Sequence, residues 1–259
     1  MKSFLILTIV LSLILVSSNF AAEHGAYFDY EGYTGPGYWS QLDVKYRMCG
    51  VGQKQSPINF HTNIDYASVS PYVYMQNVNY VRMENNGHTI ELSSPQWQNS
   101  FINFDSTNYY FKQVHFHTPS EHRINGIHMD LEAHFVFEDP NTKRKAVVGV
   151  LYYIDPLGTN SNFIDPIITW APRTKGNATY NVFVDIASVF SLVREAGPNW
   201  AYRYSGSLTT PPCHESVTWW VATKQLPISA TQLVFNLRVY MGFNSRPTQS
   251  RNGRTVPGY

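Results

Sequence analysis

The stretches QVHFH at 113–117 and LEAHFVFE at 131–138 alternate their residue types with period two. Successive side chains of a strand point to opposite faces, so Gln113, His115 and His117 share one face while Val114 and Phe116 take the other. The second stretch repeats the arrangement, with Glu132, His134 and Val136 pointing together. A fold for this chain has to be a sheet, and one face of that sheet has to give three imidazoles and two polar neighbours a use.

The remainder agrees with a β-dominated chain. Val78–Met83, His88–Leu92, Ser100–Phe104, Tyr109–His117, Leu131–Glu138, Ala146–Ile154 and Ser216–Thr223 are expected strands, short and rich in β-branched and aromatic residues. Asn85-Asn86-Gly87, Asn125-Gly126 and Asp139-Pro140 supply turn signals between several of them. Helix is scarce, with Phe163–Trp170 and Ser229–Tyr240 the better candidates. No repeat, low-complexity tract or linker divides the sequence, which points to a single, mainly β domain with minor helices.

At the N-terminus, Lys2 precedes an apolar run from Phe4 to Val16, followed by small residues at Ser17, Ser18, Ala21 and Ala22. This is the layout of a secretory signal peptide over 1–22, and the run is short for a membrane span. The expected mature domain, 23–259, has a length that one β-rich domain can reach, roughly 200–250 residues. Once Lys2 is removed, the 19 basic residues of the chain drop to balance its 18 acidic ones. With no basic stripe, nucleic acid and anionic membrane are poor partners. The polar C-terminus RNGRTVPGY offers no lipid-anchoring tail, and oligomeric state is not readable. Cys49 and Cys213, the only cysteines, read as a disulfide in an exported protein rather than as two free buried thiols. Asn177-Ala178-Thr179 is the one glycosylation sequon, usable where the secreting cell glycosylates.

A lone His-x-His on a strand is more often structural than metal-binding. A third histidine on a neighbouring strand, with Glu132 two positions before it, changes the balance. Metal-bound histidines give their second ring N–H to a carboxylate or carbonyl, which fixes tautomer and orientation. Three nitrogen ligands at ~2.0–2.1 Å with a fourth position open describe a catalytic zinc centre. Three neutral imidazoles leave the full double positive charge on the metal, so a bound water is acidified and becomes a nucleophile for electrophilic carbon. The reaction expected is a hydration or a hydrolysis.

The runs QVHFHTPSEH, LEAHFV, SLTTPPC and NNGH resemble those of the α-class carbonic anhydrases, in the form seen in secreted and bacterial members. YEGYTGPGYW, QSPIN, AVVGV, ESVTWWV and NSRPTQ agree, in the family's order, over nearly all of the mature chain. The resemblance implies a central twisted, mostly antiparallel sheet with zinc at the base of a conical cleft. It implies reversible hydration of carbon dioxide to bicarbonate and a proton through zinc-bound hydroxide. The family is itself the reference case for a zinc-bound water acidified to about pH 7.

By the same resemblance His115, His117 and His134 are the zinc ligands, Gln113 and Glu132 their hydrogen-bond partners, and Thr209 with Glu121 the pair that orients the hydroxide. Val136, Val147, Leu208, Thr210 and Trp219 line an apolar pocket suited to carbon dioxide. His88 is the expected proton shuttle, in a turn that lets it swing between cleft and solvent, with Tyr30 and Asn86 supporting the connecting waters. Departures from the best-known animal members are Thr118 after the second ligand, Phe28 in place of a tryptophan, and Glu91 on the polar cleft wall. A carboxylate there would raise the pKa of the zinc-bound water and perturb His88. The alternatives are a zinc esterase on the same site, or a binding or structural module on the same fold that has lost catalysis.

Overall fold

The structure, a computed structural model, describes residues 25–256 apart from 66 and 68. The expected signal segment 1–22 lies outside the described residues. In chain order the strands begin with β1 Asn59–Phe60, β2 Tyr72–Tyr74, β3 Val81–Asn85, β4 Ile90–Ser93 and β5 Phe101–Phe104. β6 Thr107–His117, β7 Arg123–Ile124, β8 Ile127–His128, β9 Leu131–Glu138 and β10 Lys145–Ile154 follow. β11 Gly176–Tyr180, β12 Ala201–Ser207, β13 Glu215–Ala222 and β14 Leu226–Ile228 complete the set.

One large sheet runs in the order β11-β3-β4-β6-β9-β10-β13-β12, with β5 beside β6, β2 beside β5 and β14 beside β10. Its pairings are antiparallel except β10 with β13 and with β14, so the expectation of a mostly antiparallel sheet holds. β1, β7 and β8 form a small second sheet.

The period-two pattern decides what each face meets. Along β9, Leu131, Ala133, Phe135 and Phe137 enter the larger apolar core, joined from β6 by Val114 and Phe116 and from β10 by Val148 and Val150. The opposite face carries Glu132, His134 and Val136, and Val136 belongs to a second apolar cluster with Val147, Trp219 and Val221. β9 is therefore covered on both sides, and seven of its eight residues are buried.

The helix Ile186–Arg194 closes the larger core by burying Ile186, Val189, Phe190 and Val193, spacing that puts them on one helical face. Asp185 caps it by accepting the N–H of Ser188 at 3.2 Å. Neither this helix nor β12 was expected from the sequence. The expected helix Ser229–Tyr240 is present but broken into Ala230–Gln232, a π turn at Leu233–Leu237 and Arg238–Met241. β4 starts later than expected, at Ile90, because the Asn85-Asn86-Gly87 turn takes up residues 86–89, and β3 starts only at Val81, with Val78 held in an isolated bridge to Val184. No helix among the described residues is long and apolar enough to cross a membrane.

Candidate metal centre

Sheet register brings the histidines together. His115 on β6 is directly opposite His134 on β9, and His117 is opposite Glu132. One row across the sheet reads Glu91, His115, His134, Gly149. A neighbouring row on the same face reads Gln113, Val136, Val147, Trp219. The strand pairing therefore sets three expected pocket residues beside the expected ligands. Gly149 is required where it stands, since a Cβ there would lie 2.7 Å from Glu132 Oε1.

Ligand nitrogens of His115, His117 and His134 lie within 4.8 Å of one another. Each ring also engages a fixed oxygen through its other nitrogen. His115 Nδ1 is 2.8 Å from Gln113 Oε1, His117 Nδ1 is 2.8 Å from the carbonyl of Asn244, and His134 Nε2 is 2.8 Å from Glu132 Oε1. Amide, carbonyl and carboxylate oxygens only accept hydrogen bonds, so these ring nitrogens must carry the protons. Nε2 of His115, Nε2 of His117 and Nδ1 of His134 are thereby left as bare lone pairs. His117 Nε2 is buried with no hydrogen-bond partner, the signature of a nitrogen reserved for something else.

Electrostatics act in the same direction. Burial pushes the His115 imidazole well below its ordinary value, and the charges that His117 and His134 would carry push it further. Burial lowers His117 as well, against the opposing pull of Glu121. Both are held neutral at physiological pH, the form a metal needs. Glu132 is the reverse case: burial would raise its carboxyl, but His122 and His134 outweigh that and hold it well below the usual carboxylate range. The fit to a divalent cation is good: three converging imidazole nitrogens, each with its other nitrogen fixed by an acceptor, and a buried carboxylate behind one of them.

A second cluster, His122 with Glu132 and His134, is a hydrogen-bond chain instead. His122 Nδ1 is 2.7 Å from Glu132 Oε1 and its Nε2 is 2.7 Å from the Tyr204 hydroxyl. With both nitrogens engaged, His122 has no lone pair for a cation. Tyr204 in turn donates to Ser56 Oγ at 2.8 Å.

Glu121 is fully buried. Its Oε1 accepts the backbone N–H of Arg246 at 2.9 Å, while Oε2 has no partner and lies 4.0 Å from His134 Nδ1. Thr209 is buried in the loop after β12, and among the described residues no hydrogen bond joins it to Glu121. That loop is tied at Cys213, which is bridged to Cys49 with a Cα–Cα distance of 5.0 Å. The expected disulfide is formed. Trp219 Nε1 donates to the carbonyl of Ser207 at 3.0 Å and its ring centre is 4.8 Å from that of His134. Leu208 packs partly buried against the Val136–Val147–Trp219 cluster, and Thr210 accepts the N–H of Cys213 at 2.9 Å.

His88 follows the Asn85-Asn86-Gly87 turn, whose Gly87 has φ +90°, a conformation glycine adopts without strain. Asn86 Oδ1 accepts the N–H groups of His88 and Thr89, so that oxygen is spent on holding the turn. The His88 ring lies flat against Phe28, with centroids 4.2 Å apart and planes 9° from parallel, while Tyr30 meets it edge-on at 6.4 Å. Rather than swinging freely, the ring is stacked. Burial lowers its pKa and exposed Lys175 adds to this, with Asp29 opposing. Glu91 is the mirror case, its carboxyl pushed up by burial and by Glu84 across the β3–β4 pair.

Sequence reasoning missed the carbonyl of Asn244, the backbone of Arg246 and the side chain of His122. The first two lie inside NSRPTQ and the third ends QVHFHTPSEH, so the motifs were visible but the roles were not.

Residues 34–258 match the family model of eukaryotic-type carbonic anhydrases. The chain is 35% identical over 256 residues to a carbonic anhydrase of Neisseria gonorrhoeae, covering 96% of this chain and 95% of that protein. Among solved structures, the α-carbonic anhydrase of Thermovibrio ammonificans, in complex with the inhibitor sulfanilamide, matches with TM-score 0.79 and 36% identity, covering 90% of this chain and 99% of that one. Dioscorin, complexed with ascorbate, matches with TM-score 0.75 and 29% identity over 88% of this chain and 96% of its own.

Proposed function

The chain belongs to the eukaryotic-type carbonic anhydrase family, and from that premise we propose that it is a zinc enzyme for the reversible hydration of carbon dioxide to bicarbonate and a proton. The observation that carries this is the set of three bare imidazole nitrogens, each fixed by an acceptor on the far side of its ring. One fold can host several functions, so the fold alone does not decide the activity; the donor set does.

His115, His117 and His134 would hold the metal, which supplies a water acidified to near neutrality in this family. Glu121, accepting from Arg246, keeps its free Oε2 for the hydroxyl proton of Thr209, which turns the Thr209 oxygen into an acceptor that orients the attacking group. Val136, Val147, Leu208, Thr210 and Trp219 exclude water around a substrate without a dipole, and a newly charged bicarbonate suits that wall badly. His88 passes the released proton to solvent, with Tyr30 and Asn86 bordering its path. The apolar pocket makes ester cleavage a side reaction at most.

Secretion fits the Cys49–Cys213 disulfide, which belongs to oxidising compartments, with removal of 1–22 leaving the domain 23–259. Asn177 is exposed on β11, at the edge of the sheet, where a glycan would meet no neighbouring strand.

The test is zinc content together with carbon dioxide hydration by the purified protein, before and after a zinc-selective chelator. A single zinc per chain is expected, with activity lost on chelation and restored by zinc. A protein that hydrates no carbon dioxide when fully loaded would remove the reading.

A further inference from the structure

We propose that the cavity between the β7–β8 hairpin and residues 243–247 is a binding site for a small hydroxy-carboxylate, gripped by Arg123 and His128. The cavity measures about 200 Å³ and is bordered by Arg123, His128, Glu31, Pro119, Phe243 and Pro247. That is below the roughly 300–1,000 Å³ of drug-sized pockets, so its occupant has few atoms.

Arg123 is the unusual group here. Its Nε is buried and has no hydrogen-bond partner, and no carboxylate among the described residues pairs with its guanidinium. Arg251 also has an unpartnered Nε but pairs with Asp65 at 2.6 Å. Arg246, bordering the same cavity, spends its guanidinium on the carbonyls of Ser56 and Cys49. That buried Nε is closed off from the cavity, so a ligand would be met by the terminal nitrogens of the guanidinium, which have no hydrogen-bond or ion-pair partner among the described residues. Its planar fork matches the two oxygens of a carboxylate.

His128 sharpens the identity of the ligand. It is the cross-strand partner of Arg123, which places the two side chains side by side. His128 Nδ1 is 2.5 Å from the carbonyl of Ser120, an acceptor, so Nδ1 carries the proton and the neutral ring presents Nε2 as a lone pair. Burial, and the neighbouring Arg123 charge after it, keep that ring neutral. A lone pair repels a bare carboxylate oxygen but accepts from a hydroxyl. The site therefore fits a carboxylate that also carries an O–H: bicarbonate, or an organic hydroxy acid such as glycolate. Arg123 and Arg246 against exposed Glu31, with a neutral imidazole, leave a net of one positive charge, which favours a monoanion over phosphate. Phe243, Pro119 and Pro247 provide the apolar remainder.

The experiment follows the Arg123 Nε–H resonance of the ¹⁵N-labelled, zinc-loaded protein during titration at constant ionic strength with glycolate, bicarbonate, acetate and chloride. The resonance is assigned by its loss in Arg123→Gln, or in Arg123→Lys should the first variant not fold. Glycolate is expected to shift it saturably, and acetate to bind about fivefold more weakly, the worth of one hydrogen bond. His128→Phe should erase that difference. Bicarbonate behaving as glycolate does would make the site one for the reaction's own product, and glycolate acting alone would make it one for an organic acid. A resonance unmoved by any carboxylate, or moved equally by chloride, overturns the proposal.

Discussion

Glu132 Oε1 stands 2.8 Å from His134 Nε2 and accepts that nitrogen's N–H, which leaves His134 Nδ1 as the bare lone pair of the site. The same oxygen is 2.7 Å from His122 Nδ1, and Oε2 accepts the N–H groups of Glu121 and His122 at 2.9 and 2.8 Å. One carboxylate thus orients the His134 ring and anchors the segment that carries Glu121.

Glu132→Gln keeps the shape but replaces an oxygen that only accepts with an amide that can present either end. Zinc affinity is expected to fall by ~10–100-fold, the usual effect of removing a partner behind a ligand. Competition against a chromophoric chelator measures it, and unchanged affinity would show that the ring needs no such anchor.

His88→Ala is expected to lower turnover in dilute buffer by ~10²-fold, the lower end for general acid–base groups, with recovery on adding imidazole. Because burial holds the His88 pKa below the ordinary 6.5, the ring still accepts protons at pH values where an exposed histidine is already charged. The His88-dependent part of the rate should therefore persist below pH 6.5 and vanish only as pH falls through the lowered value. A pH–rate profile of wild type against His88→Ala reads this directly.

The disulfide joins residues 164 apart in sequence. Cys49→Ser with Cys213→Ser is expected to cost ~2–5 kcal/mol of stability, measured by urea unfolding. Since Cys213 N–H is held by Thr210 in the loop that bears Thr209, activity should drop even where the double variant remains folded.

Glu215 links the same region to pH. Burial would raise its carboxyl, but the N–H of Lys54 at 2.6 Å and the amide of Gln55 at 3.1 Å outweigh that and lower it. A carboxylate with a lowered folded pKa stabilises above its unfolded value, and that contribution disappears as pH falls through the folded one. Glu215→Gln should therefore be less stable than wild type at pH 7, and the gap should close in acid. Thermal melts across that range would show a constant gap if the carboxylate were irrelevant.

The histidine cluster was legible because strand alternation is local: His115, His117 and His134 declare their face from their immediate neighbours. The disulfide was legible from composition and expected export. Asn244 and Arg246 were not, because their backbone carbonyl and N–H do the holding, and a backbone group leaves no mark on residue type. The helix Ile186–Arg194 did leave one, in Asp185 and the spacing of Ile186, Val189, Phe190 and Val193, but nine residues amid β-rich sequence passed as irregular. β12 was hidden by Gly206 and by polar residues that face a crowded site instead of solvent. The stacking of His88 on Phe28 could not be read at all, since the two lie 60 positions apart and meet only once the chain between them has folded.

β9 has core packed beneath it and the ligand face above, with hydrogen-bonded strands along both edges. Backbone amides so enclosed exchange with solvent only when the whole domain opens. The lifetime of the ligand geometry is then the lifetime of the folded state: heat should abolish metal retention and native structure in one event, with no loosened but intact intermediate from which the ion escapes.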